Sequence, residues 1–202
     1  RRKTQQIAAS QGTEVFHNFQ FTNRIETSGI RFEHQIVDDA GREYLDFVGG
    51  IAVVGLGHVH PAVTAAAHAQ LDRLWHVSNL YWTEPMLRLA ELLSARFGGA
   101  QAFFCNSGAE ANEAAFKVAR KVTGRERIVA LEGSFHGRTM GALSLTGQPS
   151  KWEGFGALVP GVGFARPNDI EALEAAIPPS GGVAAILLEP VLGEGGVIPL
   201  DA

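Results

Sequence analysis

The stretch from Gln101 to Arg120, QAFFCNSGAEANEAAFKVAR, constrains this chain more than any other. Ala102 to Cys105 form a short apolar run that suits a buried strand. Asn106, Ser107 and Gly108 then turn the chain into an alanine-rich segment carrying Glu110, Glu113 and Lys117, all strong helix formers. Ser107 with Glu110 is a capping box and sets the helix start at about Gly108. A strand that feeds a helix through small residues leaves free N–H groups at the positive end of the helix dipole, a place for a phosphate or carboxylate. Gly108 and Ala109 have little or no side chain to hold an anion off the backbone. The same residues equally make a well-capped helix with nothing bound, and spacing alone leaves both readings open.

The rest of the composition narrows the class. A chain of 202 residues, 46% hydrophobic and 19% charged with formal net charge −4, reads as an ordinary soluble protein without a nucleic-acid footprint. No apolar run approaches the ~20 residues that span a bilayer. Cys105 is the single cysteine, which rules out an intrachain disulfide, and its place in an apolar run reads as core. The N-terminus begins Arg1-Arg2-Lys3 with no apolar signal region behind it, so the expected compartment is the cytoplasm. Many of the 24 glycines sit at the ends of apolar runs, the habit of an α/β chain.

Residues 1–30 show no periodicity and read as an arm. RFEHQIVDDAGREYLDF reads as a β-hairpin, with Gly41 suited to a positive φ in the turn. The glycine-rich GGIAVVGLGHVHP is a loop leading to a helix from Pro61, whose apolar face is Val63, Ala67, Leu71 and Leu74. A second helix follows Thr83, with Met86, Ala90, Leu93 and Phe97 as its stripe and Gly98-Gly99 as its end. Residues 127–131 read as a strand, and Asn168 with Glu171 as a capping box for a short helix ending at Pro178. Residues 183–188 are a continuous apolar run suited to a central parallel strand. The alternation implies a mainly parallel α/β sheet, with residues 1–60 as arm, hairpin and loop and 61–202 as part of a large domain.

Other constellations carry chemistry. In EGSFHGRTMGALSLTGQ, Phe135 and His136 follow a strand exit among small residues. Phe135 can stack on a flat heterocycle or simply pack. Arg138 can grip a carboxylate bidentately or lie solvated. Glu189 and Glu194, in LLEPVLGEGGVIPL, stand at the carboxyl end of a strand, where open α/β sheets bind ligands. They suit an acid/base pair or ion pairs equally. His58 and His60 have zinc-like spacing but no third ligand beside them, which argues against a metal.

NSGAEANEAAFKVAR resembles the phosphate-cup segment of the class III aminotransferases, which are fold-type I pyridoxal-phosphate enzymes. F-H-G-R-T, E-P-x-x-G-E-G-G and G-H-x-H-P are similar to the same family, and the resemblance spans about Tyr44 to Leu200. It implies pyridoxal 5′-phosphate as cofactor, held by Ser107, Gly108, Ala109, Phe135 and His136. Arg138 and Glu194 become substrate-binding residues, Glu194 matching the glutamate that pairs with a substrate-gating arginine further along. SNLYWTEP, from Ser78 to Pro85, and GIAV, from Gly50 to Val53, are closest to the acetylornithine branch, although Val54 stands where that branch usually has Asn. The branch implies transfer of the δ-amino group of N-acetylornithine to 2-oxoglutarate in arginine biosynthesis, by a cytoplasmic homodimer with shared active sites. Ornithine or 4-aminobutyrate aminotransferase, the related aminomutase, and a non-catalytic piece that keeps the phosphate cup are the alternatives.

In the family, the lysine that forms the Schiff base and the carboxylate at the pyridine nitrogen lie beyond E-P-x-x-G-E-G-G, so here they are expected past Ala202. Lys117, nine residues along the helix from Gly108, stands about 13 Å from its start at ~1.5 Å per residue. Lys121 is further still, Lys3 is in the arm, and Lys151 follows a loop with no apolar strand to hold it. The 202 residues alone are therefore expected not to transaminate.

Overall fold

A computed structural model describes residues 19–25, 32–179 and 182–201. The chain divides into two compact units, Arg1–Met86 and Leu87–Ala202.

In the first unit, strands β1 (Phe19–Ile25), β2 (Phe32–Asp38) and β3 (Glu43–Leu45) form an antiparallel sheet in that order. The hairpin turn is fixed by Asp38, whose Oδ1 accepts from the N–H groups of Ala40 and Arg42, while Gly41 takes φ +78°. Asp38 Oδ2 accepts from Arg42 Nε at 2.6 Å and from the Tyr44 hydroxyl at 3.1 Å. Burial pushes this carboxyl up, but the Arg42 backbone and guanidinium and the Tyr44 hydroxyl outweigh it and hold the pKa at about 2. β1 falls where the sequence reads as an unstructured arm; cross-strand pairing with β2, not local periodicity, makes it a strand. The remainder of the expected arm lies outside the described residues.

The glycine-rich loop enters α1 (Gly49–Ala52), a four-residue turn with Gly50, Ile51 and Ala52 at φ near +60°. Helix α2 (Pro61–Leu71) starts at its proline as expected. The expected apolar face is not covered: Val63, Leu71 and Leu74 are all exposed. A helix face becomes core only when another element packs on it, and none of α2's residues is buried.

Helix α3 (Glu84–Arg96) begins directly after Thr83, with Met86, Ala90 and Leu93 half-buried at helical spacing. Gly98 and Gly99 then adopt φ of +65° and +86° and end it. Residues 101–105 are not a strand: they join no ladder among the described residues, Phe103 is exposed, and Cys105 is exposed and not core. An apolar run specifies a strand only where a neighbour takes its N–H and C=O groups.

The core of the second unit is built around β4 (Ile128–Leu131), buried along its whole length. It is preceded by α4 (Gly108–Thr123) and followed by α5 (Met140–Leu145), β5 (Val162–Ala165), α6 (Ile170–Ala176) and β6 (Ala185–Ile186). The three strands run parallel in the order β5-β4-β6. Because successive side chains point to opposite faces, Ile128 packs with Phe116 of α4 and Leu145 of α5. Val129 and Leu131 pack on the other face with Ala165 and Leu192, under Leu173 of α6.

Two expectations change here. Residues 184–187 do bond to β4, through Ala184 N–H to Arg127 and Leu187 N–H to Val129, but β6 is an edge strand in this sheet, not a central one. Its other side has no partner among the described residues. The cap of α6 is Asp169, whose Oδ1 accepts from Ala172 N–H at 2.8 Å. Asn168 takes φ +58° and spends its amide on Pro199 and Asp201 instead. The last strands, β7 (Val191–Leu192) and β8 (Ile198–Pro199), form an antiparallel pair whose loop carries Glu194. No helix among the described residues is long and apolar enough to cross a membrane.

Candidate active site

The start of α4 is capped from both directions. Ser107 Oγ accepts from Glu110 N–H at 3.2 Å, while Glu110 Oε2 reaches back to the N–H of Asn106, at 2.7 Å, and to its amide. The reciprocal bond falls one residue earlier than in a standard capping box. The N–H groups of Gly108 and Ala109 have no acceptor among the described residues. Nothing lies within 4 Å of the point where a Cβ on Gly108 would sit. Two free donors beside open space at the positive end of a 16-residue helix suit an anion.

Ala109 is small for a second reason. Gly137, at φ +131°, comes so close that a Cβ there would meet Ala109 Cβ at 2.7 Å. The loop from Phe135 to Arg138 therefore lies on the first turns of α4. Asn112 Nδ2 donates to the His136 carbonyl at 2.7 Å, and Glu113 Oε1 accepts from the N–H groups of Gly141 and Ala142 at the start of α5. One helix thus places the candidate anion donors and the aromatic loop together.

Glu189 fixes that loop from the other side. Its two oxygens accept from Phe135 N–H at 2.7 Å and Gly193 N–H at 3.1 Å. This makes it a backbone clamp and removes the acid/base pairing with Glu194. His136 is buried, its backbone N–H bonded to Thr146 Oγ1, and its Nε2 has no partner among the described residues. Burial pushes its pKa down, against the opposing charge of Glu189.

Phe135 carries a charged cluster. The Arg138 guanidinium and the Lys151 ammonium each lie 5.7 Å from its ring centroid. Lys151 Nζ donates to Glu194 Oε1 at 2.6 Å, and Gln148 Nε2 to Glu194 Oε2 at 2.7 Å. Lys151 above all, then Gln148, lowers the Glu194 pKa against some burial, with the charges of Lys151 and Arg138 assisting.

The structure therefore brings Ala109, next to Ser107 and Gly108 in the chain, against the Phe135–Arg138 loop, and Lys151 links that loop to Glu194. Sequence reasoning missed Asn112, Glu113, Gln148 and the placement of Lys151. Their only signal was helical spacing: Asn112 and Glu113 follow Ala109 by one turn, and Lys151 follows Gln148 by three residues across Pro149. His58 and His60 belong to the first unit. His58 Nε2 is 2.9 Å from Asp46 Oδ2, and His60 Nδ1 is buried without a partner among the described residues. The His58 contact first, then the N–H groups of Gly49 and Val48, lowers the Asp46 pKa against its burial.

The family model for "Aminotransferase class-III" matches residues 31–202. The chain belongs to the class III aminotransferases. The acetylornithine aminotransferase of Mycolicibacterium smegmatis is 57% identical over 168 residues, covering 82% of this chain and 42% of that protein. The chain thus spans about four-tenths of the length of the curated relatives it matches. Among solved structures, N-acetylornithine aminotransferase from Stenotrophomonas maltophilia superposes with TM-score 0.70 at 35% identity, over 92% of this chain and 44% of that one. A pyridoxal-phosphate-bound amine transaminase from an uncultivated Pseudomonas species reaches 0.81 at 26% identity, over 99% and 51%. This class III aminotransferase has the fold-type I α/β architecture, of which β5-β4-β6 is the parallel sheet seen here.

Proposed function

We propose that these residues are part of a pyridoxal-phosphate-dependent acetylornithine aminotransferase, which moves the δ-amino group of N-acetylornithine to 2-oxoglutarate in arginine biosynthesis. The observation that carries the reading is the pair of unpartnered N–H groups at Gly108 and Ala109, packed against the aromatic loop that presents Phe135 and Arg138. Identity of 57% to a curated acetylornithine aminotransferase, and the S-N-L-Y-x-T-E-P string, support the branch. The cytoplasmic homodimer with shared active sites belongs to the same reading.

The residues fit the cofactor. Gly108 and Ala109 offer backbone donors with room for a phosphate, held in place by the Ser107 cap. Phe135 presents a flat apolar ring whose backbone Glu189 pins, and His136 braces the loop from a buried position. When bound, pyridoxal phosphate supplies an electron sink at the carbon that carries the amine. Arg138 offers a planar fork for a substrate carboxylate, and Glu194 contributes a fixed negative charge beside it. None of the described lysines serves the cofactor aldehyde: Lys117 and Lys121 stand far along α4, and the Lys151 ammonium is engaged by Glu194. The 202 residues alone do not transaminate.

The test is an assay of the complete enzyme with N-acetylornithine, ornithine and 4-aminobutyrate as donors and 2-oxoglutarate as acceptor. N-acetylornithine is expected to give the highest kcat/KM. A clear preference for either other donor would move the enzyme to another branch.

A further inference from the structure

Ala109, Asn112 and Glu113 share one face of α4, being three and four residues apart. All three meet the segment that carries Arg138. Ala109 bears on Gly137, Asn112 Nδ2 donates to the His136 carbonyl at 2.7 Å, and Glu113 Oε1 accepts from the N–H groups of Gly141 and Ala142 at 2.7 and 3.2 Å. Arg138 follows the first two attachments and precedes the third, with its own side chain exposed.

The other ties of this loop run to different elements and stop short of Arg138. Phe135 N–H donates to Glu189, which follows β6, and His136 N–H to Thr146, which follows α5. Thr146 Oγ1 has a single proton, and the Ala142 carbonyl at 3.0 Å is nearer to it than the Gly137 carbonyl at 3.4 Å. The next residue after His136 is Gly137, at φ +131°, whose backbone is free to swing unless a neighbouring peptide is fixed. Asn112 fixes that peptide, between His136 and Gly137. It does so from the helix that also offers the N–H groups of Gly108 and Ala109, four residues beyond Gly108 or about 6 Å at ~1.5 Å per residue.

We infer that Asn112 is a positioning residue: by holding the His136 carbonyl it ties the Arg138 segment to the helix that presents the phosphate donors. It thereby fixes where the Arg138 guanidinium stands relative to the cofactor phosphate. The inference rests on the reading of Arg138 as the carboxylate site and of Gly108 and Ala109 as the phosphate site. Asn112 acts through the loop backbone, with no contact of its own to the reacting atoms.

The test is a series on the complete holoenzyme: Asn112→Leu, Asn112→Ala, Arg138→Met and the double variant Asn112→Leu/Arg138→Met. Leucine keeps the side-chain volume and suits a helix but donates nothing, and alanine serves if leucine does not fold. KM and kcat are measured for N-acetylornithine or, if that is not turned over, 4-aminobutyrate, and kcat/KM is compared where saturation is not reached. Pyridoxal phosphate retention is followed by equilibrium dialysis. Losing one hydrogen bond that holds the competent loop should raise KM about five- to tenfold, with a smaller change in kcat and retention within about twofold of the parent. Against Arg138→Met, the added Asn112→Leu should alter kcat/KM by less than about twofold, because no guanidinium is left to position. An undiminished effect in that background would overturn the inference, because Asn112 would then act independently of Arg138. Retention lost in both Asn112 variants would also overturn it, assigning Asn112 to the fold or to the phosphate end. Unchanged KM in both Asn112 variants, with KM raised in Arg138→Met, overturns it while leaving the Arg138 reading intact. Unchanged KM in Arg138→Met removes the carboxylate site itself, and the inference with it.

Discussion

The stretch from Phe47 to Trp82 and the stretch from Ile128 to Gln148 are built from similar residues, glycines and large apolar side chains, and end in opposite states. In the second, Ile128, Val129, Leu143 and Leu145 are almost fully buried. There Gly141 and Gly147 have protein atoms pressed against the sites a Cβ would occupy, the Glu113 carboxylate and the Leu131 carbonyl. In the first, Phe47, Ile51, Val53, Trp75, Leu80 and Trp82 are all four-fifths exposed or nearly so. Gly49 and Gly55 face open space. The difference teaches that apolar pattern states what a face requires, whereas close contact states what it has received. The second stretch has its turns fixed by close-packed protein atoms, whereas in the first the turn at Val48 and Gly49 is held by hydrogen bonds to Asp46.

Gly147→Ala should show this contrast most strongly. Its new methyl would collide with the Leu131 carbonyl and Glu132 Cα, backbone atoms that cannot swing aside. A loss of about 3 kcal/mol or more in unfolding free energy is expected from overpacking at a fixed site. Denaturant titration of the protein checks it, and an unchanged midpoint would mean that the 128–148 stretch is not tightly packed.

Gly108→Val sharpens the comparison within the second unit, because here open space sits beside a capped helix start. A Cβ at this position meets no protein atom within 4 Å, so stability should change little, but the side chain intrudes where an anion approaches the two free N–H groups. Cofactor retention in the complete enzyme should weaken by about tenfold, the scale of one charge-assisted bond. Equilibrium dialysis of pyridoxal phosphate measures it, and equal retention removes the phosphate site from α4.

The legibility of the sequence follows the same division. Ser107 with Glu110, Pro61, Gly41 and the Gly98-Gly99 stop were all readable, because caps and turns depend on residues within a few positions. The cap at Asp169 was misplaced by one residue because Asn168 is drawn away by Pro199 and Asp201, more than thirty residues on. The 102–105 run, β1 and the edge position of β6 were misread for one reason: a strand is a statement about its neighbours. In the site, F-H-G-R-T was visible as a motif. That Glu189 clamps the Phe135 backbone while Lys151 and Gln148 hold Glu194 was not, since each bond spans more than forty residues.

A smaller effect is expected in the first unit, from the hairpin turn. The Asp38 pKa, held at about 2, lies below the ordinary carboxylate value, so ionised Asp38 stabilises the folded hairpin. That contribution is complete above about pH 4 and is lost as pH falls through about 2. Thermal unfolding followed between pH 5 and 2 should therefore fall more steeply for the parent than for Asp38→Asn. Parallel curves would show that the turn contributes nothing. Smallest of all is Gly55→Ala, which faces open space without a positive φ and should stay within about 0.5 kcal/mol of the parent.

The central claim is that this chain supplies the phosphate and substrate-carboxylate side of a pyridoxal-phosphate site, and that none of its own lysines holds the cofactor covalently. Borohydride reduction of the complete holoenzyme followed by peptide mass mapping tests it most directly. The account predicts one stoichiometric pyridoxyl adduct, on a lysine outside these 202 residues, with Lys117, Lys121 and Lys151 unmodified. A stoichiometric adduct on Lys151, whose ammonium here lies 2.6 Å from Glu194, would contradict it.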